Sequence, residues 1–321
     1  MKKIFSLLLL ILLSLSLFAQ RQKVIFDCDL GGDIDDAFAM ALLLCSQEEF
    51  EILGIVMDHG HTPGRAKVAC RMLHECGLED IPVYAGRHTP GVVGVDTTKA
   101  GPSRQFIWAE NFDAVTPRDK PAAEFIVESL NRYPGEIILF TVGPVPNIGD
   151  AIELDADALK KTKKVVSMFG SFYVGYGGGD ISAEWNVRAD VGSSRELLES
   201  GADLYFAGLD ITDHVILSEE DQQMLMMRQS PLTTSLTALY SLWYKHADWA
   251  ITPKMFDAVA LGMVLWPELV KTKEVYVEID DEGYTHVIND KEPNCTIGTH
   301  IDEPEFRRRM MERLLVQGFG E

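Results

Sequence analysis

The sequence predicts an α/β protein: an open, mostly parallel β-sheet with helices on both faces and one C-terminal β-hairpin. Three observations predict it. Short apolar runs alternate with segments of helical periodicity along most of the chain, the pattern of strand–helix–strand units around a parallel sheet. The 321 residues are 46% hydrophobic and 24% charged, a globular balance with apolar material for a large core. No stretch rich in Pro, Gly or Ser divides the chain, so residues 21–321 read as a single domain.

Lys2 and Lys3 precede an apolar run from Ile4 to Phe18, which closes at Ala19-Gln20. A charged start, a short apolar run and a small-residue exit describe a cleaved export signal over residues 1–20. The run falls short of the roughly 20 residues a membrane span needs, and no second run of its length follows. The mature chain is therefore expected to have no membrane span and to be periplasmic or secreted.

Val24-Ile25-Phe26 is the first buried strand, and it leads into an acidic turn. Ile34 to Leu44 carries apolar residues at helical spacing, with Asp33 placed to cap it. Glu51 to Met57 is the second strand, followed by the His- and Gly-rich stretch 58–64. Ala66 to Glu75 reads as a helix that Gly77 ends, and residues 82–86 read as a third strand. Residues 87–120 are loop-rich; a helix over Ala122–Asn131 and a strand over Glu136–Val142 follow. Val165–Phe169 and Leu204–Ala207 are two further strands. Glu274–Ile279 and Tyr284–Ile288 flank a turn and read as the hairpin, and Glu303–Leu315 closes the chain as a helix.

Lys plus Arg number 29 and Asp plus Glu 49, a formal net charge of −20. Such a surface repels phosphate backbones, so no nucleic-acid partner is expected and a small molecule is. The cysteine count is odd and no CxxC pair occurs, so no disulfide framework is expected and the sequence selects no single bridge.

The acidic turn carries the chemistry. Asp27, Asp29, Asp33, Asp35 and Asp36 fall within ten residues, where a buried strand gives way to a helix. In open α/β sheets that strand end is where ligands bind. Two carboxylates 4 Å apart repel by about 4 kcal/mol at an effective dielectric of 20. A tight Gly-containing turn cannot spread them, so a cation is expected among them. Carboxylates without Cys or paired His favour Ca²⁺, with Mg²⁺ as the alternative. An EF-hand loop counted from Asp27 reaches Phe38 where it needs Glu, which removes that reading. A phosphatase of the haloacid dehalogenase type remains an alternative, with Asp27 as nucleophile, Asp29 as acid/base and Lys163 or Lys164 in support. It gives no reason for Asp35-Asp36.

Asp27-x-Asp29-x-Gly31…Asp35-Asp36-Ala37 resembles the N-terminal signature of the inosine-uridine preferring nucleoside hydrolases, with two extra residues before the paired aspartates. The resemblance continues in order at residues 141–147, at Ala183-Glu184-Trp185-Asn186…Asp190, at residues 208–212 and at Phe256-Asp257-Ala258-Val259-Ala260. It implies the Rossmann-like fold of that family and Ca²⁺-dependent hydrolysis of a ribonucleoside, or a related N-riboside, to ribose and free base. It implies that Asp29, Asp36, Asp257 and the Val142 carbonyl hold the ion, and that Asp35 is the base that deprotonates the water on it. Asp27 would support the site or the 2′-hydroxyl. Glu184 and Asn186 would bind the ribose from one face of an extended segment, with Asn147 a further sugar contact. A homo-oligomer is also implied.

Three departures open alternatives. Phe256 stands where many members carry the His that protonates the leaving base, so it is either a stacking residue or core filler. His61 replaces an Asn that contacts the sugar, and His61 or His59 is a candidate for substrate binding or acid catalysis. Gly178 stands where relatives carry a further ribose-contacting Asn. Without acid help, a ribosyl-binding protein with little or no turnover is the second class of function. Trp243, His246 and Trp249 either roof the pocket or pack on the core.

Overall fold

A computed structural model describes residues 21–90, 103–244 and 252–320. The export signal, His246 and Trp249 lie outside the described residues. One nine-stranded sheet runs through the molecule in the order β3-β2-β1-β4-β5-β6-β9-β7-β8. The strands are β1 Gln22–Cys28, β2 Phe50–Met57, β3 Val83–Ala85, β4 Ile137–Thr141, β5 Lys164–Met168, β6 Leu204–Ala207, β7 Val270–Ile279, β8 Thr285–Ile288 and β9 Cys295–Ile301. Pairing is parallel from β3 across to β9 and antiparallel from β9 to β7 and β7 to β8. The expected hairpin is β7–β8, with Tyr276 opposite Ile288.

Side chains alternate between two cores because a strand repeats every two residues. Val24, Phe26 and Cys28 of β1 join one cluster, with Ile138 and Phe140 of β4. Ile25 joins the other, with Ile137 and Leu139. Both faces are thus covered, as a parallel sheet requires. Chain order 3-2-1-4-5-6 reverses between β1 and β4, and the crevice beyond their C-terminal ends is the place where such sheets bind ligands.

Helices α1 Asp35–Leu44, α2 Thr62–Glu75, α3 Ala122–Arg132, α4 Pro146–Leu154, α5 Trp185–Ala189 and α6 Val191–Glu199 follow the first half of the sheet. Then come α7 Leu209–Thr212, α8 Glu219–Arg228, α9 Pro231–Tyr244, α10 Phe256–Leu265 and α11 Glu303–Val316. Helix α1 is buried along its whole length, and α10 from Asp257 to Met263. A helix apolar on all sides is a core helix, and these two pack side by side. No helix among the described residues is long and apolar enough to cross a membrane. The five cysteines are free thiols.

Two local expectations are corrected. Asp33 does not cap α1: the cap is Ile34, whose N–H donates to Asp33 Oδ1 at 2.6 Å, so the acid stands one residue too early. Strand β9, with the polar and glycine-bearing sequence CTIGTHI, was absent from the expected strands; it enters the sheet between β6 and β7 through pairings distant in sequence.

Candidate active site

Helices α1 and α10 both begin at the C-terminal end of the sheet with acids in their first turns: Asp35 and Asp36 on one, Asp257 on the other. Because the two helices are core elements, their acids are buried with them. Carboxylate oxygens of Asp35, Asp36 and Asp257 lie within 4.8 Å of one another. Burial pushes all three carboxyls well above the usual range, and repulsion from the neighbouring acids, Asp29 and Asp33 included, adds to it. Three desolvated oxygen donors, one of them (Asp36 Oδ1) with no hydrogen-bond partner among the described residues, fit a hard divalent cation.

Asp29 lines the same cavity but stands outside this trio. Its Oδ2 faces Nη2 of Arg65 at 3.4 Å, and Arg65 is fixed in turn by the carbonyls of Leu30 and His59 at 3.0 and 2.7 Å. The turn before α1 is clamped from outside. Ser103 donates its hydroxyl proton to the Gly31 carbonyl, and Gln105 Nε2 donates to the carbonyls of Gly32 and Asp33 at 3.1 and 2.8 Å. Gly31 sits at φ +98°, and a Cβ there would meet the Phe106 ring at 2.8 Å, so the lengthened turn needs glycine at this point.

Beneath the cavity lies a second acidic pair that the sequence did not reveal. Asp27 and Asp58 are both fully buried. Asn147 donates to Asp27 Oδ1 at 2.8 Å and to the Met57 carbonyl at 3.3 Å. Burial pushes the Asp27 carboxyl up to about 8, with the Asn147 and Asp58 hydrogen bonds pulling the other way. Asp58 is raised too, by burial and then by Asp27. Gly143, after β4, makes room: a Cβ there would lie 2.7 Å from Asp58 Oδ1. Neither Asp27 nor Asn147 is part of the cavity wall. Asn147, expected at the sugar, is spent on supporting the floor.

Glu184 and Asn186 do line the cavity, though not from an extended segment. Glu184 caps α5 and accepts from the N–H groups of Gly170, Asn186 and Val187, while Asn186 sits inside the helix. Burial pushes the Glu184 carboxyl up to about 7 against those three donors. Asn186 Nδ2 donates to the carbonyls of Val142 and Met168, both at 3.1 Å. Val142 lines the cavity, and its carbonyl, engaged by Asn186, keeps a second lone pair.

The cavity has a volume of about 900 Å³. Acidic and amide side chains line it: Asp29, Asp35, Asp36, Asp257, Glu184 and Asn186. So do four aromatic residues, the half-exposed Tyr176 and Trp185, the buried Trp243, and Phe256. Phe256 therefore faces the cavity, with the Tyr176 ring edge-on at 6.3 Å. Trp243 also lines it and meets Asp33, whose carboxyl burial pushes up to about 6.

Of the two histidines in question, His59 is in the wall and His61 is not. His61 caps α2, accepting from Gly64 N–H at 3.0 Å. His59 is buried at φ +52°, a left-handed conformation unusual for a side-chain-bearing residue, with Nδ1 3.2 Å from Thr89 Oγ1. The sequence left the two histidines open because a loop has no periodicity to show which way each faces. The lysines of the phosphatase alternative also fail. Lys164 begins β5 beside Ile138, at the sheet edge opposite Asp27 and Asp29, and Lys163 pairs with Gln22.

Comparison with known proteins gives the family and the fold. The profile of the family described as inosine-uridine preferring nucleoside hydrolase matches residues 24–308. The chain is 30% identical to uridine nucleosidase 1 of Arabidopsis thaliana over 278 residues, covering 82% of this chain and 80% of that one. A plant nucleoside hydrolase superposes with a TM-score of 0.77 at 23% identity, over 92% of this chain and 99% of the other. A purine-preferring ribonucleoside hydrolase from Gardnerella vaginalis also superposes at 0.77, with 21% identity over 91% and 98%.

Proposed function

The chain belongs to the inosine-uridine preferring nucleoside hydrolase family, and on that premise we propose that it hydrolyses the N-glycosidic bond of a ribonucleoside or related N-riboside. The observation that carries the reading is one cavity lined by both acidic or amide side chains and aromatic rings. Six acidic and amide side chains match the hydroxyl-rich face of a ribose, and four aromatic rings match a flat base.

Asp29, Asp36, Asp257 and the Val142 carbonyl are the groups that would hold a divalent cation, Ca²⁺ by preference and Mg²⁺ as the alternative. When bound, the ion supplies a grip on vicinal hydroxyls and lowers the pKa of a water beside them. Asp35 takes the proton of the attacking water. Glu184 and Asn186, fixed at the start of α5, orient the sugar so that its anomeric carbon faces that water. The aromatic rings exclude solvent from the base and stack on it. Asp27, Asp58 and Asn147 keep the floor in shape from below.

Ribose release from inosine and uridine in the presence of Ca²⁺ tests the reading. Tight ribose binding without turnover of either nucleoside, or of p-nitrophenyl riboside, would favour the binding-protein alternative, which Phe256 motivates. Export belongs to the same proposal and rests on Lys2, Lys3, the apolar run to Phe18 and Ala19-Gln20. Mass spectrometry of the exported protein should read a mature chain beginning near Arg21; a chain retaining Met1 would end that part.

A further inference from the structure

Hydrolysis of an N-riboside, the reading on which a role for Tyr176 rests, sends the electron pair of the C–N bond onto the base. Phe256 can donate nothing to it. Two other donors that line the cavity are committed. Lys254 is ion-paired with Asp213. His59 faces Thr89, and burial lowers its pKa, so it stays neutral near pH 7.

Tyr176 differs. Its oxygen accepts the Trp185 N–H at 3.0 Å, and no acceptor for its own proton stands among the described residues. Its ring meets Phe256 edge-on, and both residues line the cavity. The loop that carries it is tightly pinned despite its glycines. Asp210 accepts from the N–H groups of Phe172, Tyr173 and Val174 at 2.9, 2.8 and 3.2 Å. Asp213 accepts from Gly177 N–H at 3.0 Å. A donor held this way loses little entropy and reorganises little when charge appears beside it. Burial and the neighbouring Glu184 raise the Tyr176 pKa, so the phenol stays protonated.

We propose that Tyr176 assists the leaving base by donating its phenolic hydrogen bond to the atom on which negative charge develops. The C–N bond breaks with its electron pair going to the base. Water forms the new C–O bond and gives its proton to Asp35. The base, held by the Tyr176 hydroxyl, takes a proton from solvent as it departs.

The test compares substrates that need such help with one that does not. Tyr176→Phe should lower kcat on inosine and uridine about 10²-fold, the usual effect of removing one positioned donor. On p-nitrophenyl riboside, whose phenolate is stable unaided, kcat should change by less than about threefold. Equal losses on all substrates mean that the hydroxyl only supports α5 through Trp185, and they overturn the assignment alone. No loss on any substrate overturns it as well, as does a selective nucleoside loss in His59→Gln with Tyr176→Phe unaffected. Wild-type protein inactive on all three substrates overturns the parent reading and this assignment with it.

Discussion

Asp35→Asn should cut turnover of inosine and uridine by about 10³-fold, the scale of a lost general base, while the protein keeps its response to Ca²⁺. Asparagine preserves the size of the side chain and one oxygen donor but removes the negative charge and the ability to take a proton, so some weakening of Ca²⁺ affinity is expected alongside the loss of the base. Asp35 lies in the cavity wall and inside the tight carboxylate trio, so its role as base and a role as ligand must be separated. Asp36→Asn is the comparison, because Asp36 Oδ1 has no protein partner among the described residues and ligation is its expected use. The base assignment predicts that Asp36→Asn abolishes the rise in Tm with added Ca²⁺ and that Asp35→Asn does not. Full activity in Asp35→Asn would remove it as base. Loss of the Ca²⁺ response in Asp35→Asn would make it a ligand instead.

Elements were legible in the sequence where the information is local. Strand β1 and helix α1 were readable because their apolar periodicity is continuous, and the acids sit where one element passes to the next. The meeting of Asp36 with Asp257 has no local signature. It arises from two core helices packing side by side, and only the ordered set of motifs implied it. Arg65 and Asp58 went unread for a related reason. One lies within a helix and the other at a strand exit, and nothing in their neighbours shows that one reaches Asp29 and the other lies beside Asp27. The extended reading of Glu184–Asn186 failed because a capping acid and a strand residue look alike until the cap's N–H partners are known. Strand β9 was missed because its sequence, CTIGTHI, is polar and carries a glycine, and its parallel partner β6 is remote in sequence.

Chelation should destabilise the protein more at pH 8 than at pH 5. In the metal-free chain the carboxyls of Asp35, Asp36 and Asp257 are raised by burial and by the neighbouring acids, Asp29 and Asp33 included. Glu184 is raised to about 7 and Asp27 to about 8 by burial. A carboxyl whose folded pKa exceeds its unfolded value binds more protons in the folded state between the two. Its stability is therefore full below the unfolded value, about 4, and is lost as pH rises toward the folded value. The Tm of chelated protein should accordingly fall between pH 5 and pH 8. A cation needs the ionised carboxylates, so its contribution grows over the same interval. At a hundredfold excess over Kd it adds about 2.7 kcal/mol, or about 5 °C in a domain of this size. The gap between the two Tm curves should widen with pH. The net charge of −20 also lowers stability as pH rises, so a second variant isolates the site. Asp257→Asn removes one member of the trio and changes the net charge by only one unit. At pH 8 its metal-free Tm should exceed that of the metal-free wild type, because two buried like charges repel less than three, and its Ca²⁺ response should collapse. A metal-free Tm that is flat or rising from pH 5 to pH 8 would remove the raised carboxyls as the source of the pH dependence, and an undiminished Ca²⁺ shift in Asp257→Asn would mean that Asp257 does not hold the ion.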